Sequence, residues 1–448
     1  MFKKFTNGCV KLVQNFLPDA FVFCIILTII VFIAAIPVTG AGPMAIVNAW
    51  GGGVWNLLAF SMQMALVLVL GSALANAPAV KKIIVALAGV PKKPASSIAF
   101  VFVVSAIACF LNWGFGLIVG ALLAKEVAKK IPNVDYRLII AAAYAGFVIW
   151  HSGISGSIPL SMTSLGADGA VANTGGAVTE TVPTSLTIFS AWNLLMILIL
   201  VIVLALVLYA MHPDEKDTVS IDPKLLVDEE KTYPDPVTPA EKIENSMILS
   251  YIVVVLGVVY LIKYFIGAGN ILNALNLNIV NLIFLILGIA VYKRPIAYVR
   301  AIGAAAESAG GIILQFPFYA GIQGMMVFAP EGGTSIAAAM SNFFVSISNQ
   351  TTFPVFCYLA AGIVNFFVPS GGGQWAVQGP IMMPAGLSLG VHPAVTAMGI
   401  AWGDAWTNML QPFWALPALG VAGLGARDIM GYCAIVLIVT GIVTALRF

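Results

Sequence analysis

Of 448 residues, 60% are hydrophobic and 9% charged, with a net charge of +2. A soluble domain carries roughly 25% charged residues, so the chain reads as an all-α polytopic membrane protein, and its balance gives no basis for a nucleic-acid partner. The five cysteines are scattered without a C-x-x-C pair, and no zinc or nucleotide motif is present, which leaves no resident cofactor expected and excludes ATP-driven transport by this chain alone.

In chain order, Met1 to Leu17 sets Lys3, Lys4 and Lys11 against Phe2, Phe5, Val10, Val13 and Phe16. This pattern (residues 1–17) is read as an interfacial amphipathic helix rather than a cleaved signal. About nine apolar stretches follow: Pro18–Pro37, Val54–Asn76, Leu138–Trp150, Leu186–Met211, Met247–Ile266, Ile279–Tyr292, Gly311–Phe328, Pro393–Leu410 and Ile429–Leu446. A full crossing takes about 20 residues, and several of these are shorter or interrupted. Basic residues orient them. Lys81, Lys82, Lys92 and Lys93 mark one cytoplasmic loop, Lys125, Lys129, Lys130 and Arg137 a second, and Lys293, Arg294 and Arg300 a third. The Pro-rich, charged stretch 212–245 is read as a cytoplasmic linker.

Ser96 to Ala124 is apolar, yet it lies between two basic clusters of one side. A re-entrant hairpin over about 96–124, turning at Asn112–Gly116, resolves the conflict. Irregular backbone at that depth is tolerated only within protein or beside a polar cavity.

The two halves share spaced landmarks. Gln63 pairs with Gln315, Asn112 with Asn365, Trp150 with Trp402 and Pro159 with Pro412, each at an offset of 252 or 253. Under that offset Met247–Ile266 has no counterpart, so one extra span (246–268) separates a first repeat, 18–211, from a second, 269–448. An odd insertion of one crossing inverts the second repeat, a plan that places a site near the bilayer midplane at broken helices. The second hairpin, about 353–384, then enters from the opposite side with its tip at Pro369–Gly373.

The interruptions collect the polar groups of the apolar regions. Asn112, Trp113 and Gly114 lie at the first tip, and Ser370, Gly371, Gly372, Gly373 and Gln374 at the second. His151, Ser152 and Ser155 lie in one broken helix, and Trp402, Thr407 and Asn408 in its match. Together they are the candidate substrate-binding residues, because half-helix N-termini, amides and hydroxyls suit a small anion. No Lys or Arg occurs between Arg137 and Lys216 or between Arg300 and Arg427, which argues against a polyanionic substrate. Asp404 is the sharpest residue, since a carboxylate in a membrane segment is expensive and functional by default. It is assigned to coupling with H⁺ or Na⁺, with a candidate Na⁺ site nearby. Ser348, Asn349 and Thr351, which lead into the second hairpin, are further coupling-ion candidates.

The stretches "FLNWGFGLIVGALLAKEVAKK", "VIWHSGISGSIPL", "FFVPSGGGQWAVQGP" and "WGDAWTNMLQPFWALP" resemble the bacterial short-chain fatty acid transporter family, over essentially the whole chain. That resemblance implies membership of the wider ion transporter superfamily. It also implies a homodimer in the bacterial inner membrane, a scaffold with a mobile transport domain moving as an elevator, and acetoacetate, butyrate and similar monocarboxylates as substrates. The tips here read Asn-Trp-Gly and Pro-Ser-Gly-Gly-Gly, departing from the Ser-Asn-Thr signatures common in the superfamily. The alternatives are a passive small-anion channel or a carrier of another small carboxylate. In none of these readings is the chain an enzyme.

Overall fold

The computed structural model describes residues 20–166, 169–214, 216, 218–221, 236–366, 368–410 and 414–446. The predicted interfacial helix 1–17, Pro412 and much of the linker lie outside them. The described residues are helical throughout, without strands, and seven helical stretches are long and apolar enough to cross a membrane.

In the first half the long or packed helices are α1 (Ala20–Thr39), α2 (Pro43–Gly53), α3 (Leu58–Ala75), α4 (Pro78–Leu87), α5 (Pro94–Leu111), α6 (Trp113–Lys130) and α7 (Tyr136–Ala145). A 3₁₀ segment Gly146–Ser152 extends α7, and after a break come α8 (Ser157–Ser161) and α9 (Ala191–Ala210). Then α10 (Met247–Ala268) stands largely exposed to its surroundings. The second half runs α11 (Leu277–Tyr292), α12 (Pro295–Ala306), α13 (Gly310–Val327), α14 (Ile336–Ile347), α15 (Phe353–Val364), α16 (Gly371–Ser388), α17 (Pro393–Thr407), α18 (Ala415–Ala422) and α19 (Ala426–Ala445).

The predicted spans coincide with helices to within a few residues. The short helices α2, α4, α12, α14 and α18 were not anticipated, because none has the length of a crossing. Three of them carry a local signal: α2, α4 and α12 open on a proline at the first helical position, where its missing N–H has no partner to lose.

The halves are interleaved. From the first half, α1 and α2 pack on α13. Cys24 Sγ donates to the Gln315 carbonyl at 3.9 Å, Phe21 meets Phe318 edge to face, and a Cβ at Gly53 would stand 2.8 Å from the Ala320 carbonyl. From the second half, α11 and α12 border α3. Asn281 Nδ2 donates to the Gln63 carbonyl at 3.0 Å, and Tyr292 Oη to that of Ala73 at 2.7 Å. In each half the first arm of a helical pair also lies against the broken helix. Ser105 Oγ on α5 donates to the Ala143 carbonyl of α7 at 2.5 Å, and Cys357 Sγ on α15 to the Thr396 carbonyl of α17 at 3.6 Å.

The two hairpins correct the expected turns. The first reverses at Asn112 alone, in extended conformation between α5 and α6, and its Oδ1 accepts from the Phe115 N–H at 2.9 Å as an N-cap. Gly114 and Gly116 are therefore helical. Their missing side chains admit the Leu68 backbone, 2.8 Å from a would-be Cβ, and Cys109, at 2.4 Å. In the second, Gly371–Gly373 form the first turn of α16, capped by Ser370, and the irregular backbone lies just before them.

The first part of the linker is docked rather than free. Asp135, fully buried, caps α7 through the Leu138 N–H at 2.9 Å and accepts from Arg137 at 3.1 Å and from the Val219 N–H at 3.0 Å. Further on, Thr238 and Glu241 form a capping box on a short helix, Pro239–Glu244. There the backbone N–H groups of Thr238 and Val237 hold the Glu241 carboxyl below its ordinary range.

Close approach of α6 to α3 depends on Gly71, where a Cβ would lie 2.3 Å from Asn112 Oδ1 and 2.6 Å from the Phe115 nitrogen. Gly71→Ala is expected to destabilise the purified protein by about 1–3 kcal/mol, as overpacking does, seen as a lower melting temperature in detergent. Gly420→Ala, with nothing within 4 Å, should show no such loss. Equal melting of the two variants would contradict the packing described.

Candidate substrate and coupling site

The two broken helices meet at a side-chain hydrogen bond between His151 and Asp404. His151 Nδ1 lies 2.8 Å from Asp404 Oδ2, and both residues are fully buried. On the other edge of the ring, the Ile158 N–H donates to Nε2 at 3.2 Å and Ser157 Oγ lies 2.8 Å away. A backbone N–H can only donate, so Nε2 is the acceptor. The proton therefore resides on Nδ1 and points at Asp404. The chain reaches this geometry because the 3₁₀ segment ends at Ser152, and Gly153 and Gly156 carry the backbone into α8, whose first turn presents Ile158. A Cβ on Gly153 would meet the Phe110 carbonyl at 2.5 Å, and one on Gly156 the His151 carbonyl at 2.4 Å.

Asp404 is held on its backbone side by the second hairpin. Asn365, at the end of α15, directs Nδ2 at the Asp404 carbonyl (3.0 Å), Thr407 Oγ1 (2.9 Å) and Asn408 Oδ1 (3.2 Å). Tyr144 Oη donates to the Asn408 carbonyl at 2.7 Å. Asp404 Oδ1 makes no well-formed hydrogen bond, although the Asn408 amide lies beside it, and Asn408 Nδ2 and Asn365 Oδ1 are likewise unfilled. A buried group left without its partner costs about 1–3 kcal/mol, more when charged.

Both tips close on the same place. Trp113, the first residue of α6, directs its backbone N–H to Ser155 Oγ at 3.0 Å, and the Ile154 N–H reaches the Phe110 carbonyl at 2.7 Å. Gly371 lies so near the pair that a Cβ would stand 2.5 Å from His151 Cε1 and 2.7 Å from the Trp150 ring. Trp414 Nε1 donates to the Pro369 carbonyl at 2.5 Å, while its ring meets Trp113 at 4.9 Å between centroids. Phe147, Trp150 and His151 stack, with centroids 5.3 and 4.0 Å apart. The result is a buried centre with aromatic walls and no Lys or Arg.

Of the residues expected from sequence, Asn112, Trp113, His151, Ser155, Gly371, Asp404, Thr407 and Asn408 converge here. Gly114 faces α3. Gly372 and Gly373 admit Phe60 with Phe316, and Tyr319, respectively. Ser370 serves as cap, and Ser152 Oγ turns back to the Ile149 carbonyl at 2.8 Å. Gln374 Nε2 donates to the Ala361 carbonyl and to Gln378 Oε1, both at 2.8 Å. Trp402 Nε1 donates to Asn193 Oδ1 at 3.0 Å. Ser348, Asn349 and Thr351 do not join the centre. Ser348 caps the end of α14, its Oγ donating to the Phe344 carbonyl, and Asn349 and Thr351, both exposed, lie in the turn before α15, where Asn349 Oδ1 accepts from the Thr351 and Thr352 N–H groups. The twelve residues of α15 separate them from Asn365 by roughly 18 Å.

Sequence reasoning left out Asn365, Asn193 and Ser157. Asn193 bridges the breaks, donating to the Ser152 carbonyl at 3.1 Å while accepting from Trp402. It is an amide in an otherwise unbroken apolar helix, which is the signal that marked Asp404. Asn365 was visible as the partner of Asn112 in the repeat.

The sequence profile of the family described as short chain fatty acid transporter matches residues 1–448. The chain belongs to the short chain fatty acid transporter family. A protein of Escherichia coli (strain K12) provisionally named a short-chain fatty acid transporter is 43% identical over 446 residues, covering 99% of this chain and 98% of that one. A Haemophilus influenzae protein with the same provisional name is 44% identical, with 98% of each chain covered. Among solved structures, Neisseria gonorrhoeae MtrF, reported as illuminating a class of antimetabolite efflux pumps, has the same fold. The TM-score is 0.54 at 18% identity, covering 99% of this chain and 97% of the other. As a short chain fatty acid transporter family member the chain is a multi-pass bacterial inner-membrane transporter, not an enzyme.

Gly371→Ala places a methyl group against a His151 ring pinned on both edges, so the ring cannot yield without leaving Asp404 or Ile158. Substrate uptake by reconstituted Gly371→Ala should fall at least tenfold, far more than in Gly71→Ala, which carries a comparable overpacking loss of melting temperature. Wild-type uptake would show that the His151–Asp404 contact is not needed.

Proposed function

We propose that the protein is a secondary carrier that moves short-chain monocarboxylates, such as butyrate and acetoacetate, together with H⁺ or Na⁺. The observation that carries this reading is the His151–Asp404 contact, with Asp404 Oδ1 left unfilled in a buried centre that has no basic residue. A substrate carboxylate brought beside an ionised Asp404 is repelled strongly in so poorly screened a place. A cation on Asp404 removes that repulsion, so substrate and cation load together, and neither crosses readily alone. Because His151 keeps its proton on Nδ1, Asp404 is the group free to take the cation.

The same reading gives the transport movement. The centre is sealed from both sides by tips that touch it through glycine, and it opens only if helices separate. That favours alternating access over an open anion channel. In this account residues 18–211 and 269–448 are inverted repeats, each with a re-entrant hairpin and a broken helix. Residues 246–268 are the extra crossing and 212–245 the cytoplasmic linker. The hairpins with α7, α8 and α17 form the moving body of an elevator, and α3, α11 and α13 belong to the scaffold of a homodimer. The interleaved packing of α1 and α2 on α13, and of α11 and α12 on α3, supports the pairing of halves.

Asp404→Asn keeps the size and the acceptor towards His151 while removing the charge. In proteoliposomes the variant is expected to lose gradient-driven accumulation, its final internal-to-external ratio of labelled butyrate falling to about one, while exchange of labelled for unlabelled butyrate persists. Accumulation at the wild-type ratio would remove Asp404 from coupling. Absence of trans-stimulation in the wild type would favour the channel.

A further inference from the structure

Buried indole N–H groups in this protein are partnered in some places and not in others. Trp402, Trp406 and Trp414 donate to Asn193 Oδ1 at 3.0 Å, the Leu437 carbonyl at 2.8 Å and the Pro369 carbonyl at 2.5 Å. Trp113 and Trp150 have no acceptor, although each is only 3% exposed. The two rings are neighbours, 5.8 Å between centroids and inclined at 65°. One opens α6 at the first tip, and the other precedes His151 in the broken helix. Next to Trp113, the fully buried Asn112 has its Nδ2 unfilled as well.

Two donors at the first tip and a third in the broken helix beside it, all left without acceptors, form an imbalance of defined sign. Native structures rarely leave buried donors unmade, because the loss is not recovered elsewhere. Donors in excess call for a ligand that is rich in acceptors, and the surrounding rings, Phe147 against Trp150 and Trp414 against Trp113, suit a short apolar tail. The absence of Lys and Arg from this part of the chain means that a carboxylate here would be held by neutral hydrogen bonds alone.

We propose that the carboxylate of the transported acid is received by the indole N–H groups of Trp113 and Trp150, with the amide of Asn112 as a third donor. This rests on the reading of the cargo as a monocarboxylate and adds the group that recognises its head. Trp150 stacks on His151, so the bound anion lies close to Asp404. Neutral donors leave its charge uncancelled, and the cation on Asp404 becomes a condition of tight binding. Neutral donors also set the limit to one carboxylate, since a second would have neither partner nor counter-charge.

The test removes the N–H and keeps the ring. Butyrate binding to purified full-length protein in detergent is measured by calorimetry for wild type, Trp113→Phe, Trp150→Phe and the double variant. Each single substitution is expected to raise the Kd about tenfold, as loss of one hydrogen bond to a charged group does, and the double more. Butyramide, which lacks the charge, should bind the wild type weakly and change little across the series. Trp50→Phe removes another unpartnered indole N–H, one on α2 that packs against Phe318 and Gly321 of α13, and should leave the Kd unchanged. Phe variants that bind butyrate as wild type does would overturn the proposal and place these N–H groups against neighbouring ring faces. Should a variant fail to fold, the wild type decides. With its nine tryptophans labelled with ¹⁵N, butyrate should move two indole N–H resonances downfield and butyramide should not, and unmoved resonances would overturn the proposal. If the wild type binds no short monocarboxylate at all, it is the cargo reading that fails.

Discussion

A carboxylate buried in an apolar molecule has to be held, neutralised or both, and here a single imidazole does the holding. Asp404 sits in one broken helix and His151 in the other, so the bond between them fixes the register of the two halves. Most of the central packing follows from keeping that ring in place. Ile158 at the start of α8 occupies its far nitrogen, Trp150 stacks on its face, and Gly371 closes against its edge. The helices are broken where they are because a continuous α7 could not turn its own backbone N–H back onto His151.

Close approach is the second requirement, and glycine meets it. At Gly71, Gly114, Gly153 and Gly371 the nearest heavy atoms already occupy the space a side chain would need. The first tip is thereby seated on α3 and on the first broken helix, and the second tip against Trp150 and His151. The orphaned polar atoms concentrate where those elements meet. Asp404 Oδ1, Asn365 Oδ1 and Asn408 Nδ2 are unfilled on one side, and the N–H groups of Trp113, Trp150 and Asn112 on the other. A cation and an anion would fill both.

Much of this was legible in the sequence, for identifiable reasons. Apolar length located the long helices. Proline, glycine and polar residues inside apolar runs located the breaks and both hairpins, and Asp404 stood out because an intramembrane carboxylate is costly. The turn residues were less legible: Asn112 could be seen as a break, but the helical state of Gly114, Gly116 and Gly371–Gly373 depends on neighbours distant in the chain. Ser348, Asn349 and Thr351 have the composition of a cation site, but Ser348 is spent on the end of α14 and Asn349 on the turn before α15. The partnership of His151 with Asp404, 253 positions apart, was beyond local pattern. So was Asn193, whose role exists only once α9, α7 and α17 are packed.

Everything proposed for this centre requires that an anion enter it in company with a cation. Labelled butyrate uptake into proteoliposomes, with Na⁺ and pH gradients imposed separately and the membrane potential clamped, tests it directly. Accumulation above the external concentration is predicted under one of the two gradients, lost when that gradient is collapsed. Entry that stops at equal concentrations under every gradient would contradict coupled transport.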